Sequence, residues 1–268
     1  MIEALGYPFM QRALAGGALT GFLLSYFGTF VVQRRLAFMG SGLAHAAFGG
    51  VALGILLHMQ PLWVAVPFTA MVAIGIVAVR ERTQLAEDTA IGVFFAVSMA
   101  LGIVFLSITK GYTGDAFAIL YGSILSVTTT DVIVTGFVAA LALGTTPYWG
   151  VWAYATFDRD LARADGLPVL RADYVLSVAI AVAVVVAIKV VGILLIAAFL
   201  VLPAAAARLV TSTFRAMTLC SVALGVFSAV AGLMVSYYSN VPSGATIILL
   251  QAVLFLLAVT AGQVLRNR

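Results

Sequence analysis

Charge is what this sequence has least of. Its 14 Lys and Arg and 10 Asp and Glu make up 9% of 268 residues, and 63% of the chain is hydrophobic. A soluble domain carries about 25% charged residues, so a water-exposed globule is excluded. Cysteine is nearly absent too. Cys220 stands alone, which rules out an internal disulfide and any Cys-rich metal site. The pattern G-x-x-x-x-G-K-[ST] does not occur, so the chain carries no phosphate loop of its own. Histidine is limited to His45 and His58. Low-complexity tails, an obvious repeat and a soluble domain are all lacking. Glu3 and Pro8 stand where a secretory signal would carry a basic n-region, so none is expected.

What fills the chain is long apolar sequence, with a mean hydropathy of +1.16. A spanning helix needs roughly 20 apolar residues, and the runs 13–33, 36–79, 89–109, 132–157 and 216–265 hold no Asp, Glu, Lys or Arg. The two longest each contain a turn signal, HMQP at 58–61 and SNVPSG at 239–244, and so hold a pair of spans each. The expected fold is an all-α, polytopic integral membrane protein, a single transmembrane domain over 1–268. About nine helical segments are expected, near 10–33, 42–58, 62–80, 90–108, 131–154, 171–188, 192–208, 216–238 and 245–265. AFAILYGSIL at 116–125 is apolar but too short to cross, and reads as a re-entrant segment on the outer side. Two readings stand for 171–208: two short spans broken near Gly192, or one long tilted helix. Small residues at helical spacing, Gly17 with Gly21 and Gly50 with Gly54, suit close helix packing, although each pair alone is no more than chance provides.

Alternating spans sort the basic residues. With the N-terminus outside, Arg34, Arg35, Arg80, Arg82, Arg159, Arg163, Arg171, Arg208, Arg215, Arg266 and Arg268 fall inside, leaving Arg12, Lys110 and Lys189. The positive-inside rule therefore favours a cytoplasmic C-terminus. It also accounts for the pI near 9.4 without a nucleic-acid partner.

Against this background ATFDRDLARADGLPV, residues 155–169, stands out, with five charged residues between Asp158 and Asp165. Its pattern is that of a short complete helix. Asp158 serves as N-cap, Asp160 lies in the first turn, Arg163 near the last, Gly166 terminates and Pro168 prevents resumption. So short a helix is marginal in water, and Phe157, Leu161 and Ala164 form an apolar stripe expected to hold it by packing. A solvated loop helix is the bland alternative. A capped helix in mid-chain on the inner side reads better as a docking element for a cytoplasmic partner.

Five ordered motifs carry a resemblance: PFMQRALAGG at 8–17, RRLAFMGSGLAHAAFGGVALG at 34–54, FDRDLARADGLPV at 157–169, KVVGILLIAAFLVLPAAAARLV at 189–210, and AGLMVSYYSNVPSGATIIL at 231–249. Together they span nearly the whole chain. The sequence resembles the membrane subunit of ATP-binding-cassette importers for divalent metals, the zinc and manganese type. That resemblance implies a permease homodimer in a bacterial inner membrane, in contact with lipid. Cytoplasmic ATP-binding subunits would dock beneath a coupling helix at about 157–167, through Phe157, Asp158, Leu161, Ala162 and Gly166. A periplasmic or extracellular metal-binding protein would deliver the ion. No permanently bound cofactor is implied; the divalent metal ion, zinc before manganese or iron, is cargo.

Such a path needs ligands that hold an ion weakly. His45 is the candidate ligand within a span. The resemblance implies an acidic residue one turn before it, in a G-D-x-L-x-H-A pattern, but here Ser41 occupies that place. Asp115 and Asp131 flank the re-entrant segment and are candidates for outer-face binding, His58 lies at an outer turn, and 236–240 serves to satisfy outer-loop backbone. Two rival classes remain. A secondary transporter would need intramembrane ionisable groups that these spans almost lack. An intramembrane serine hydrolase using Ser41 and His45 would place nucleophile and base on one helix, without an oxyanion-hole sequence.

Overall fold

The computed structural model describes residues 6–83, 85–109, 122 and 127–266. Among them every regular element is helical. The order is α1 (Pro8–Gln33), α2 (Ala37–Leu56), α3 (Pro61–Thr83), α4 (Glu87–Ile108), α5 (Thr129–Gly144), α6 (Trp149–Phe157), α7 (Arg159–Ala164), α8 (Val169–Val191), α9 (Ile193–Val210), α10 (Phe214–Ser239) and α11 (Ser243–Arg266). Seven of these, α1 to α4, α8, α10 and α11, are long and apolar enough to cross a membrane. Apart from Gly122, the re-entrant reading of 116–125, with Asp115 and Lys110, lies outside the described residues.

Two expectations needed the structure. The span expected at 131–154 is not one straight helix. It bends by 40° between α5 and α6, where Thr146–Tyr148 form a 3-10 turn. Pro147 sits in that turn and cannot donate the backbone hydrogen bond that would carry α5 onward. At 171–208 the two-helix reading holds. Gly192 adopts φ +85°, a conformation that a residue with a Cβ resists, and it ends α8 and precedes α9. Directions follow from contacts with α1. Arg34, at one end of α1, pairs with Asp173 at the start of α8, while Gly16 lies beside Val190 near its finish. α8 therefore runs antiparallel to α1. Along α9, Leu200 and Ala204 abut Gly28, nearer the Arg34 end again, so α9 returns. α9 is not among the seven helices long and apolar enough to cross, and Pro203 lies inside it.

Burial sorts the helices into a centre and a rim. α1, α2 and α8 are mostly buried, whereas α4 and α11 bury little. α1 packs against α10, α9, α5 and α8, and α2 against α4, α3 and α9. Small residues make these approaches possible. A Cβ on Gly21 would lie 2.7 Å from the Gly225 carbonyl oxygen, and one on Gly50 would lie 2.7 Å from the Ala65 Cα. In an apolar solvent close packing replaces the hydrophobic effect as the force between helices, so these contacts are the physical basis of the α1–α10 and α2–α3 pairs. The outward faces of α4 and α11 present Val93, Val97, Ile103, Leu249, Val253 and Leu256 to the surroundings, side chains that hydrocarbon accepts and water does not.

Candidate functional site

At the arginine-rich end, α7 is built as the sequence indicates. The Asp158 carboxylate accepts from the Leu161 N–H at 2.9 Å, and Gly166 closes the helix at φ +78° with its N–H donating to the Arg163 carbonyl. The face that holds it differs from expectation. Ala162 is fully buried in a small cluster with Ala155 and Val169, whereas Phe157 is 60% exposed, Leu161 49% exposed and Ala164 also open. The face that α7 turns to α6 and α8 carries Ala162, small enough for close approach; Ala164 is as small, but it lies two positions on, on the open side with Leu161. Phe157 keeps one aromatic contact, edge to face with Phe214 at 5.5 Å, and Phe214 in turn meets Phe30 and Trp149. The exposed stripe thus stands on an elbow fixed to α1 and α10.

Beneath α7 lies a cluster that sequence reasoning missed. Asp173, only 2% exposed, accepts from Arg34 Nη1 through Oδ1, and from Arg80 Nη2 and Arg159 Nη2 through Oδ2, each at 2.7 Å. Arg34 Nε also donates to Thr156 Oγ1 at 2.8 Å. Glu81 takes Arg159 and Arg163, and Arg80 is bonded to both Glu81 and Glu87. One acid thereby joins the ends of α1 and α3, the start of α8 and the short α7. Charges taken out of water are stable only when fully paired, and removing one partner from a buried set costs about 3–5 kcal/mol. The one sequence signal was an aspartate just inside an apolar run; the arginines had already been accounted for as inside markers.

In α2, His45 and Ser41 share a half-exposed face one turn apart. His45 Nδ1 lies 2.9 Å from the Ser41 carbonyl oxygen, and its ring packs at 4.5 Å from that of Phe95 on α4. A carbonyl only accepts, so Nδ1 carries the proton and Nε2 keeps its lone pair. That is the tautomer a metal ligand needs, oriented by backbone. It is not a hydrolytic dyad, since His45 meets the backbone of Ser41. Among the described residues no group of three or more His, Cys, Asp and Glu is placed to hold a metal.

At the opposite end Asp131 is engaged on every side. It forms a capping box with Thr128 at the start of α5, and both its oxygens accept from Lys189 Nζ at 2.8 Å. The pair borders a cavity of about 320 Å³ walled by Trp63, Val66, Val185 and Val186. His58 is exposed at the turn between α2 and α3. In the 236–240 run, Ser236 Oγ donates to the Val241 carbonyl at 2.6 Å and Asn240, at φ +50°, ends α10. Asp115 lies outside the described residues.

Residues 6–262 match the family described as the ABC 3 transport family. The manganese transport system membrane protein MntC of Listeria innocua is 33% identical over 253 residues, covering 94% of this chain and 90% of that protein. The high-affinity zinc uptake system membrane protein ZnuB of Haemophilus influenzae is 31% identical over 254 residues, covering 93% and 97%. Among solved structures, a chain of PsaBC from Streptococcus pneumoniae, in complex with Fab, superposes with a TM-score of 0.85 at 34% identity, covering 96% of this chain and 93% of that one.

Proposed function

This chain belongs to the ABC 3 transport family, and from that premise we propose that it is the membrane-spanning subunit of a bacterial ATP-driven importer that brings zinc into the cytoplasm. The observation that carries the importer reading is α7: a capped helix locked to the spans by one face and presenting Leu161 and Ala164 on the other, beside the exposed Phe157 at the end of α6. An apolar stripe held in place at the arginine-rich, cytoplasmic end has a use if another protein covers it. A separate ATP-binding subunit is that partner, because this sequence has no phosphate loop. Asp158 and Gly166 shape the helix it grips, and Ala162 seats it. Two copies of this chain form the permease, with lipid against the apolar faces of α4 and α11. A metal-binding protein docks at the opposite face, where Asp131 braces α5 against α8 through Lys189; Asp115 is proposed as a further contact for it.

Zinc follows from the chemistry at α2. His45 offers an imidazole nitrogen, and Ser41 offers a hydroxyl where the family pattern supplies a carboxylate. Nitrogen ligands suit zinc, whereas carboxylate and carbonyl oxygens suit manganese. The manganese reading has a specific support of its own in relatives named for manganese transport. Both are decided by one experiment. The permease is co-expressed with its ATP-binding subunit and reconstituted with the binding protein, and uptake of radioactive zinc and manganese is compared with and without ATP. ATP-dependent zinc uptake that excess manganese does not displace is the expected result. Preferential manganese uptake overturns the zinc assignment alone, and uptake independent of ATP overturns the importer reading.

A further inference from the structure

We infer that Asp173, with Arg34, Arg80 and Arg159, is the joint through which movement of α7 reaches the spans, making Asp173 and Arg159 positioning residues for transport. The inference rests on the docking role proposed for α7. Its first support is reach. The backbone of α7 packs against α6 and α8, while its ties to α3 are the side chains of Arg159 and Arg163 on Glu81. Its second is the sharing of one acid. Arg159 and Arg80 bind the same oxygen of Asp173, and Arg34 binds the other. A displacement of Arg159 is therefore felt by the ends of both α1 and α3.

Burial makes the joint stiff. Exposed ion pairs are screened and worth little, but Asp173 is almost wholly out of solvent, so its carboxylate has little water to turn to when a bond stretches. The route onward is short. α1 ends at Gln33 and α2 begins at Ala37, with Arg34 between them, and α2 carries Ser41 and His45. A pull on Arg34 acts on the connection between the central helix and the helix of the candidate ion path. A cluster that served folding alone would have no reason to link the docking helix to that connection through a single carboxylate.

The test uses the complete complex of permease, ATP-binding subunit and binding protein in proteoliposomes, with radioactive zinc as probe. Zinc taken up per ATP hydrolysed is the readout, because a merely structural role would lower both together. Arg159→Gln cuts α7 from Asp173, while Arg163 stays on Glu81 and Arg34 and Arg80 stay in place. It is expected to retain the ATP-binding subunit on co-purification, to hydrolyse ATP at a near-normal rate, and to lose about five- to tenfold in uptake per ATP. Arg159→Lys, which keeps a cationic donor, is expected to restore most of the ratio. Asp173→Asn should shift it in the same direction as Arg159→Gln. An unchanged ratio in Arg159→Gln overturns the joint, as does loss of the ATP-binding subunit from that variant, which would make Arg159 part of the docking surface. Leu161→Glu, measured in parallel, tests the docking reading by itself: an ATP-binding subunit that stays bound to that variant overturns the reading, whatever the ratio does.

Discussion

His45 donates its Nδ1 proton to the Ser41 carbonyl, and one turn of α2 thereby fixes which nitrogen remains free. That local fact frames the first prediction. His45→Ala should lower zinc uptake by about tenfold, in the range that loss of a metal-site contact commonly costs, without lowering the amount of assembled permease, since alanine suits a helix. Ser41→Asp should act in the opposite sense on binding. A carboxylate and an imidazole at i and i+4 share a face, so the purified complex should retain more zinc, and release should slow. Equilibrium binding with uptake measured on the same preparations checks both; normal uptake in His45→Ala together with unchanged binding in Ser41→Asp would remove this face from the path. The pairing of His45 with position 41 was legible in the sequence because it is local. Asp173 was not, because its partners Arg34 and Arg80 lie 139 and 93 positions away and only the fold brings them together. Arginine near a span end satisfies the positive-inside rule whether it is buried or free, so the rule hid the cluster.

α7 divides what an element's own sequence determines from what its neighbours determine. Its start, its end and its left-handed stop at Gly166 are written in residues next to one another, and each takes the form their chemistry demands. Which side it buries is a tertiary matter. The stripe of Phe157, Leu161 and Ala164 was expected to face inward, and it faces outward because the face turned to Ala155 and Val169 is the one that carries Ala162. The same division explains α5 and α6, where apolar content indicated one span and the proline turn made two helices. The prediction at this scale concerns Gly166. Proline cannot adopt φ +78° and has no N–H to give the Arg163 carbonyl. Gly166→Pro should therefore leave the spans inserted, as read by membrane fractionation, and release the ATP-binding subunit. Gly166→Ala keeps that N–H and faces a left-handed cost of only about 1–2 kcal/mol, so it should weaken association without abolishing it. Association that is normal in the proline variant would show that the form of this turn does not matter for docking.

For the molecule as a whole, the question is which way the bundle faces. The antiparallel relation of α1 to α8 and the return of α9 fix the directions of these crossings relative to one another, but relative direction has two solutions in a membrane. Charge chooses between them. Arg34, Arg80, Arg159 and Arg163 gather at one end around Asp173 and Glu81, and the opposite end holds the Lys189–Asp131 pair and the turn at Asn240. Basic residues flanking spans resist translocation, so the orientation proposed here puts the arginine cluster in the cytoplasm, where an ATP-binding subunit could reach α7. Position 163 is exposed beside the cluster, and Ser239 is exposed at the far end of α10. In a Cys220→Ser background, single cysteines at these two positions should therefore differ in reactivity towards an impermeant maleimide. In intact cells Ser239→Cys should label and Arg163→Cys should not, and lysis should equalise them. Labelling of Arg163→Cys from outside would reverse the bundle. It would strand the stripe of α7 where no ATP is available, and the importer reading would fall with it.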